Sequence, residues 1–178
     1  MSFSLDFLHE SALTAAPQLI GKDLFANGVR LRILETEAYM PHDTACHAHK
    51  GQTPRNAPMF GPAAHLYVYL CYGIHQLVNI VTGSEGSGQA VLIRAGMVQS
   101  GFDLARLRRK GRLECIGPGK VGQVLGLNVG DSGEALGDRI QLLEGCAPVS
   151  IVTMPRVGID YAQPKDRDAL WRFIGQFE

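Results

Sequence analysis

Asn27-Gly28 stands between two runs of strand-forming residues, Lys22 to Phe25 and Val29 to Tyr39. An Asn-Gly link is the strongest short-range hairpin signal, because both positions accept the positive φ of a type I′ turn. The chain is therefore expected to build an antiparallel sheet from its first third onward. Val29, Leu31 and Ile33 alternate onto one face of the second strand. The same parity, continued, sets Glu35, Glu37 and Tyr39 on that face as well. Carboxylates on an inward face are costly unless they are hydrogen-bonded or reach a wet cleft.

Hairpin signals recur. Leu66 to Cys71 and His75 to Val81 flank Tyr72-Gly73, and a strand from Ala90 to Arg94 follows the Gly/Ser turn at Gly83 to Gly88. Arg139 to Leu143, Val149 to Thr153 and Leu170 to Ile174 read as further strands. Helices are expected over Ser11 to Ile20, weakened by Pro17, over Phe102 to Arg109, and from Lys120 to Leu127 after the break at Gly117-Pro118-Gly119. Pro41 to Pro62 is a long polar loop, and such a loop inside a compact chain is usually functional. The expected class is mixed α/β, a curved antiparallel sheet with helices at its margins. With 178 residues, 46% of them hydrophobic and 19% charged, residues 1–178 suit one globular domain.

No apolar run approaches the ~20 residues of a membrane span. No basic stretch leading into an apolar one marks the N-terminus as a secretory signal, so a cytoplasmic, bacterial location is expected. Cys46, Cys71, Cys115 and Cys146 are scattered and read as free thiols. Net charge is zero, yet its distribution is uneven. Residues Ala45 to Gly130 hold nine Lys/Arg against three Asp/Glu, while each flank carries three more acids than bases. Within the cationic middle, Arg106, Arg108, Arg109, Lys110 and Arg112 crowd seven positions. They are either one solvated helix end or one face presented to an anion.

Four segments carry chemistry. Glu35-Thr36-Glu37-Ala38-Tyr39 sets two carboxylates beside an aromatic ring. A carboxylate held in a cleft polarises water for attack on a glycosidic carbon, while the plain alternative is a strand with a polar end. The loop Ala45-Cys46-His47-Ala48-His49 offers imidazoles and a thiol, but its spacing lacks the pairing of a zinc site, and His47 reads better as a neutral hydrogen-bond donor. Thr53-Pro54-Arg55-Asn56 is a turn with an exposed cation. Leu66 to Gly73 holds Tyr67, Tyr69 and Tyr72. Tyr67 is expected to pack on the core. A ring at the hairpin tip, Tyr72, suits a wedge that fills the gap left by an extruded base, and Tyr69 in a cleft suits stacking on that base.

Taken in order, these segments resemble the alkyladenine (3-methyladenine) DNA glycosylase family. The resemblance runs through ETEAY at Glu35 to Tyr39, TPRN at Thr53 to Asn56, MFGP at Met59 to Pro62 and LYVYLCYG at Leu66 to Gly73. It continues through Asn79, VLIRA at Val91 to Ala95, GPGK at Gly117 to Lys120, RVGI at Arg156 to Ile159 and WRF at Trp171 to Phe173. It implies a partly closed antiparallel sheet with a projecting β-hairpin. It implies that Glu37 is the general base, that Arg94 helps hold the water, and that Tyr39, Ala45, His47, Tyr69, Asn79 and Leu92 form the base pocket. It implies intercalation by Tyr72 and a reaction that uses no cofactor, no metal and no lysine Schiff base. Arg55, Arg106, Arg108, Arg109, Lys110 and Lys120 are the candidates for contact with the DNA backbone. The expected partner is double-stranded DNA carrying alkylated or deaminated purines, met by a monomer at the nucleoid. Two rivals stand beside this reading: a non-catalytic damage-binding module on the same fold, and a metal-dependent hydrolase built on Cys46, His47 and His49.

Overall fold

The computed structural model describes residues 3–178; the expectation about an N-terminal leader begins on Met1 and Ser2, which lie outside them. The elements in chain order are α1 (Ala12–Leu19), β1 (Asp23–Ala26), β2 (Val29–Tyr39), β3 (Leu66–Cys71), β4 (His75–Thr82), β5 (Gln89–Ser100) and α2 (Phe102–Arg108). They continue with β6 (Cys115–Ile116), α3 (Pro118–Leu125), β7 (Ile140–Leu143), β8 (Ser150–Met154), α4 (Pro164–Arg167) and β9 (Arg172–Gln176). Among the described residues these strands form one curled antiparallel sheet, in the order β3-β4-β5-β2-β1-β7. β6 joins β5, while β9 joins β2 and carries β8 outward. The mixed α/β class expected from the sequence is the one observed. No helix is long and apolar enough to cross a membrane, among the described residues.

β2 is the hub. One edge pairs with β5 along most of its length. The other edge pairs first with β1, through Val29 to Arg32, and then with β9, through Glu35 to Glu37. Where that edge passes from β1 to β9, the register with β5 shifts: Ile33 faces Gly96, yet Glu35 faces Ala95, so Leu34 is an extra residue. One step later Thr36 faces Ile93, which leaves Arg94 as the extra residue on β5. Two bulges, one on each strand, thus flank the Glu35–Ala95 pair.

Those bulges correct the parity drawn from the sequence. Val29, Leu31 and Ile33 do face the main core, which also holds the buried faces of α1 and α3. Past Leu34 the inward residues are Thr36, whose hydroxyl donates to Ala16 O at 2.9 Å under α1, and Ala38. Glu35, Glu37 and Tyr39 are turned to the opposite face. One inserted residue moves every following side chain across the sheet, so both carboxylates face away from the main core, and Glu37 lines a cleft.

Other boundaries moved less. β5 runs to Ser100 instead of ending at Arg94, because pairing with β2 carries it past Gly96 and Gln99, which blur its alternation. α3 begins at Pro118, where proline is at home in the first turn, and not at Lys120. β9 starts at Arg172 instead of Leu170.

The β3–β4 hairpin projects, and α3 buttresses it closely. A Cβ on Gly122 would lie 2.3 Å from Gln76 O, and one on Gly119 would lie 2.7 Å from His75 Nδ1. Only glycine permits that approach.

Candidate active site in the tyrosine-lined cleft

Alternate residues of four adjacent strands line one face. Tyr67, Asn79, Leu92 and Glu37 are successive ladder partners across β3, β4, β5 and β2, so they form a single row on the cleft floor. Their neighbours Leu66, Ile80, Val91 and Ala38 point the other way, into the core. The cleft holds about 400 Å³, within the range of small-ligand sites. All five tyrosines of the chain line it: Tyr39, Tyr67, Tyr69, Tyr72 and Tyr161.

Glu37 is 0% exposed. Tyr39 donates its hydroxyl to Oε2 at 2.7 Å, and the Val157 backbone N–H donates to Oε1 at 2.9 Å. Arg94 Nη1 stands 3.5 Å from the same Oε1. Burial pushes the Glu37 carboxyl above its ordinary value, against the opposing pull of the Arg94 guanidinium and the two hydrogen bonds. Arg94 reaches this place because it is the bulged residue of β5. Its Nε donates to Glu35 Oε1 at 3.1 Å.

The walls are aromatic. His47 Nδ1 is 2.9 Å from the Tyr67 hydroxyl, and its ring lies 4.4 Å from that of Tyr69. Desolvation and the Arg55 cation push the imidazole below its ordinary value, so the ring is neutral at pH 7. Tyr67, expected in the core, is buried and closes the floor; burial pushes its phenol to about 12. Asn79 donates its amide to Tyr67 O at 3.0 Å, across the hairpin ladder. Ala45 is held by its N–H on Asp43 Oδ1 at 2.9 Å.

Tyr72 is 90% exposed at the hairpin tip. It has φ +50° and Gly73 has φ +70°, the pair of positive values that a type I′ turn requires. A tyrosine there is uncommon, and strain of that kind collects at functional positions.

Four contributors come from the C-terminal segment and were not singled out from the sequence. The Val157 N–H is one. Arg156 is another: its side chain is buried, paired with Asp43, and stacked between the rings of Tyr39 at 4.7 Å and Trp171 at 5.0 Å. Tyr161 donates its hydroxyl to Ala45 O at 3.1 Å, and the residue is 71% exposed at the cleft mouth. Arg172 donates to Glu35 Oε1 at 3.0 Å. RVGI and WRF marked three of them as part of a pattern, but nothing local marks a backbone N–H as a carboxylate donor.

The basic residues divide. Arg108 is turned inward, donating to Val124 O at 2.9 Å and Asn27 O at 2.7 Å, at the end of α3 remote from the cleft. Arg109 donates to Gln123 Oε1 at 2.8 Å and Glu114 O at 3.2 Å, and Arg106 pairs with Asp103 on its own helix. Lys120, in the first turn of α3, pairs with Glu114 at 2.8 Å. Arg55 donates to Leu70 O at 3.1 Å beside β3. Lys110 and Arg112 are exposed and make no ion pair among the described residues. Cys46 is buried with its thiol toward Gly88 O, and His49 is exposed.

Comparison with known proteins gives the cleft a context. The family model described as methylpurine-DNA glycosylase matches residues 6–177. A DNA-3-methyladenine glycosylase of Arabidopsis thaliana is 49% identical over 175 residues, covering 94% of this chain and 69% of the plant protein. A protein named as a 3-methyladenine DNA glycosylase in Nitrosococcus oceani is 46% identical over 172 residues, covering 93% of this chain and 86% of its own length. One so named in Corynebacterium glutamicum strain R is 46% identical over 175 residues, covering 95% of this chain and 81% of its own.

Proposed function

The chain belongs to the methylpurine-DNA glycosylase family, a family of DNA-acting hydrolases, and on that premise we propose how its cleft releases damaged purines from duplex DNA. The observation that carries the reading is Glu37: a fully buried carboxylate with raised affinity for a proton, on the floor of an aromatic cleft, beside one guanidinium.

The target nucleotide swings out of the duplex and its base enters between Tyr39, His47 and Tyr69. Tyr72, at the hairpin tip, fills the vacated stack. A water between Glu37 and Arg94 then attacks C1′ of the deoxyribose. Its proton passes to Glu37, the C1′–N bond breaks, and the bonding electron pair leaves with the base. A methylated purine such as 3-methyladenine or 7-methylguanine is cationic in DNA, so it departs neutral without a further proton. Hypoxanthine and ethenoadenine belong to the same proposed class, and they need a proton on the leaving base. The carboxylate also stabilises the positive charge that grows on the sugar. The product is an abasic site, and the proposed nucleophile is water throughout.

His47 accepts the Tyr67 hydroxyl on Nδ1 in this reading, which leaves its Nε2–H to donate to the base. Asn79, with its amide nitrogen held on Tyr67 O, discourages guanine by crowding its exocyclic amine, while Leu92 and Ala45 complete the lining. Lys110, Arg112, Lys120 and Arg55 are proposed to meet phosphate. Arg108 drops out of that role because its donors already serve backbone carbonyls. The chain acts as a monomer and as one glycosylase domain. Incubation with duplexes that each carry one modified purine, followed by detection of abasic sites, tests the activity. Binding without any base release would favour a damage-recognition module.

A further inference from the structure

Arg94 serves two carboxylates at once. Its Nε is 3.1 Å from Glu35 Oε1, while its Nη1 stays 3.5 Å from Glu37 Oε1, longer than a direct hydrogen bond. Glu35 Oε1 also accepts from Arg172 Nη1 at 3.0 Å. Arg172 is itself tied down, since its Nε donates to Pro155 O at 2.9 Å. Pro155 opens the segment whose Val157 N–H holds Glu37. In the ladder, Arg172 is the direct partner of Glu37 on β9, on the edge of β2 opposite Arg94. Glu35, Arg94 and Arg172 are all largely shielded from water, so these charges are weakly screened.

We infer that Glu35 and Arg172 are positioning residues that decide how much of the Arg94 guanidinium reaches Glu37. The inference rests on the reading of Glu37 as the base. Glu35 draws Arg94 back, so Glu37 is not locked into a tight ion pair and keeps a free share of its charge for water. Arg172 limits that pull by neutralising part of Glu35 and by anchoring it to β9. Four other groups face this cluster. Tyr39 lies on β2 and Tyr69 on β3, and the Val157 N–H and Arg156 follow β8; Arg156 is already matched by Asp43. Among the described residues none of these groups hydrogen-bonds or ion-pairs with Glu35, whose polar side-chain partners are Arg94 and Arg172, so the two variants below act through Arg94 and through charge.

Their effects have opposite signs. Glu35→Gln removes a negative charge near Glu37 and releases Arg94 toward it; both favour the ionised form of Glu37. Arg172→Gln removes a positive charge and leaves Glu35 free to draw Arg94 away; both disfavour it.

Single-turnover base release from a methylated duplex, followed as a function of pH, tests this. The acid limb reports ionisation of Glu37. For Glu35→Gln the proton concentration at half-maximal rate should rise about tenfold, with a lower plateau, and for Arg172→Gln it should fall. Should Glu35→Gln fail to fold, Glu35→Asp, whose shorter arm withdraws from Arg94, is read the same way and should move the midpoint in the same direction. A purely packing role lowers the melting temperature and leaves both midpoints alone, which overturns the inference, as do midpoints that shift together. Glu37→Gln in the same assay separates the two levels. If that variant is inert while the midpoints stay fixed, only the positioning role fails; if it turns over like wild type, Glu37 is not the base.

Discussion

The Tyr39 hydroxyl donates to Glu37 Oε2 at 2.7 Å, which joins the aromatic wall of the cleft to the buried carboxylate on its floor. A hydrogen bond to the charged form favours it, so this contact opposes the burial that raises the carboxyl. Tyr39→Phe keeps the wall and removes the donor. The acid limb of the rate profile should then move to higher pH, with little loss well above it. A profile identical to wild type would show that the contact has no bearing on the reacting form of Glu37.

Glu37→Gln should abolish base release, a loss of about 10²–10⁴-fold or more, while binding to damaged duplex persists. The same change bears on stability. The Glu37 proton affinity is raised in the fold, so the ionised form destabilises the native state above the folded value, and this cost disappears below the ordinary value of 4.5. The neutral amide of the variant carries no such cost. Thermal melting at neutral pH should therefore show the variant at least as stable as wild type, with its advantage shrinking as pH falls. A variant that melts far lower at neutral pH would mean that the carboxylate is structural.

Removing the Tyr72 ring should raise the free energy of the extruded state, because unstacking costs a few kcal/mol and less at a mismatch. Tyr72→Ala should slow release from a stable base pair more than from a mismatch or a single strand, and Tyr72→Phe should be nearly silent. With 90% of the residue in solvent, the melting temperature should hardly change. Equal slowing on paired and unpaired substrates would sink the wedge.

DNA binding should weaken steeply with salt, although the chain has no net charge. Each phosphate neutralised adds about 0.9 to the log–log slope. Replacing Lys110 and Arg112 together by Gln should lower that slope. Arg108→Gln should leave it unchanged and lower the melting temperature instead, since Val124 O and Asn27 O lose their donor. The reverse pattern would place Arg108 at the phosphates.

Arg156→Met should be among the most damaging changes away from the carboxylates. Removing one partner of a buried ion pair typically costs about 3–5 kcal/mol, here by stranding Asp43 and unpacking the back of Tyr39. Chemical denaturation of the variant against wild type measures it. A loss comparable to that of a surface arginine would show that Asp43 finds another donor.

Much of this protein is legible locally. Period-two alternation and the Asn27-Gly28 and Tyr72-Gly73 turns foretell the hairpins, since a turn and the strands beside it depend on adjacent residues. The order of short segments also suffices to suggest the family. Which face the acids take was decided only in three dimensions. Leu34 and Arg94 become bulges because β2 exchanges β1 for β9 along one edge while it pairs with β5 along the other, and the β2–β9 pairing joins residues more than a hundred positions apart. Alternation cannot report an inserted residue whose cause lies so far along the chain. The C-terminal groups around Glu37 share this origin: Val157, whose N–H holds Glu37, Arg156, which backs Tyr39, and Arg172, which holds Glu35, have ordinary local surroundings, and only the return of β9 to the edge of β2, with β8 paired on it, brings them to the cleft.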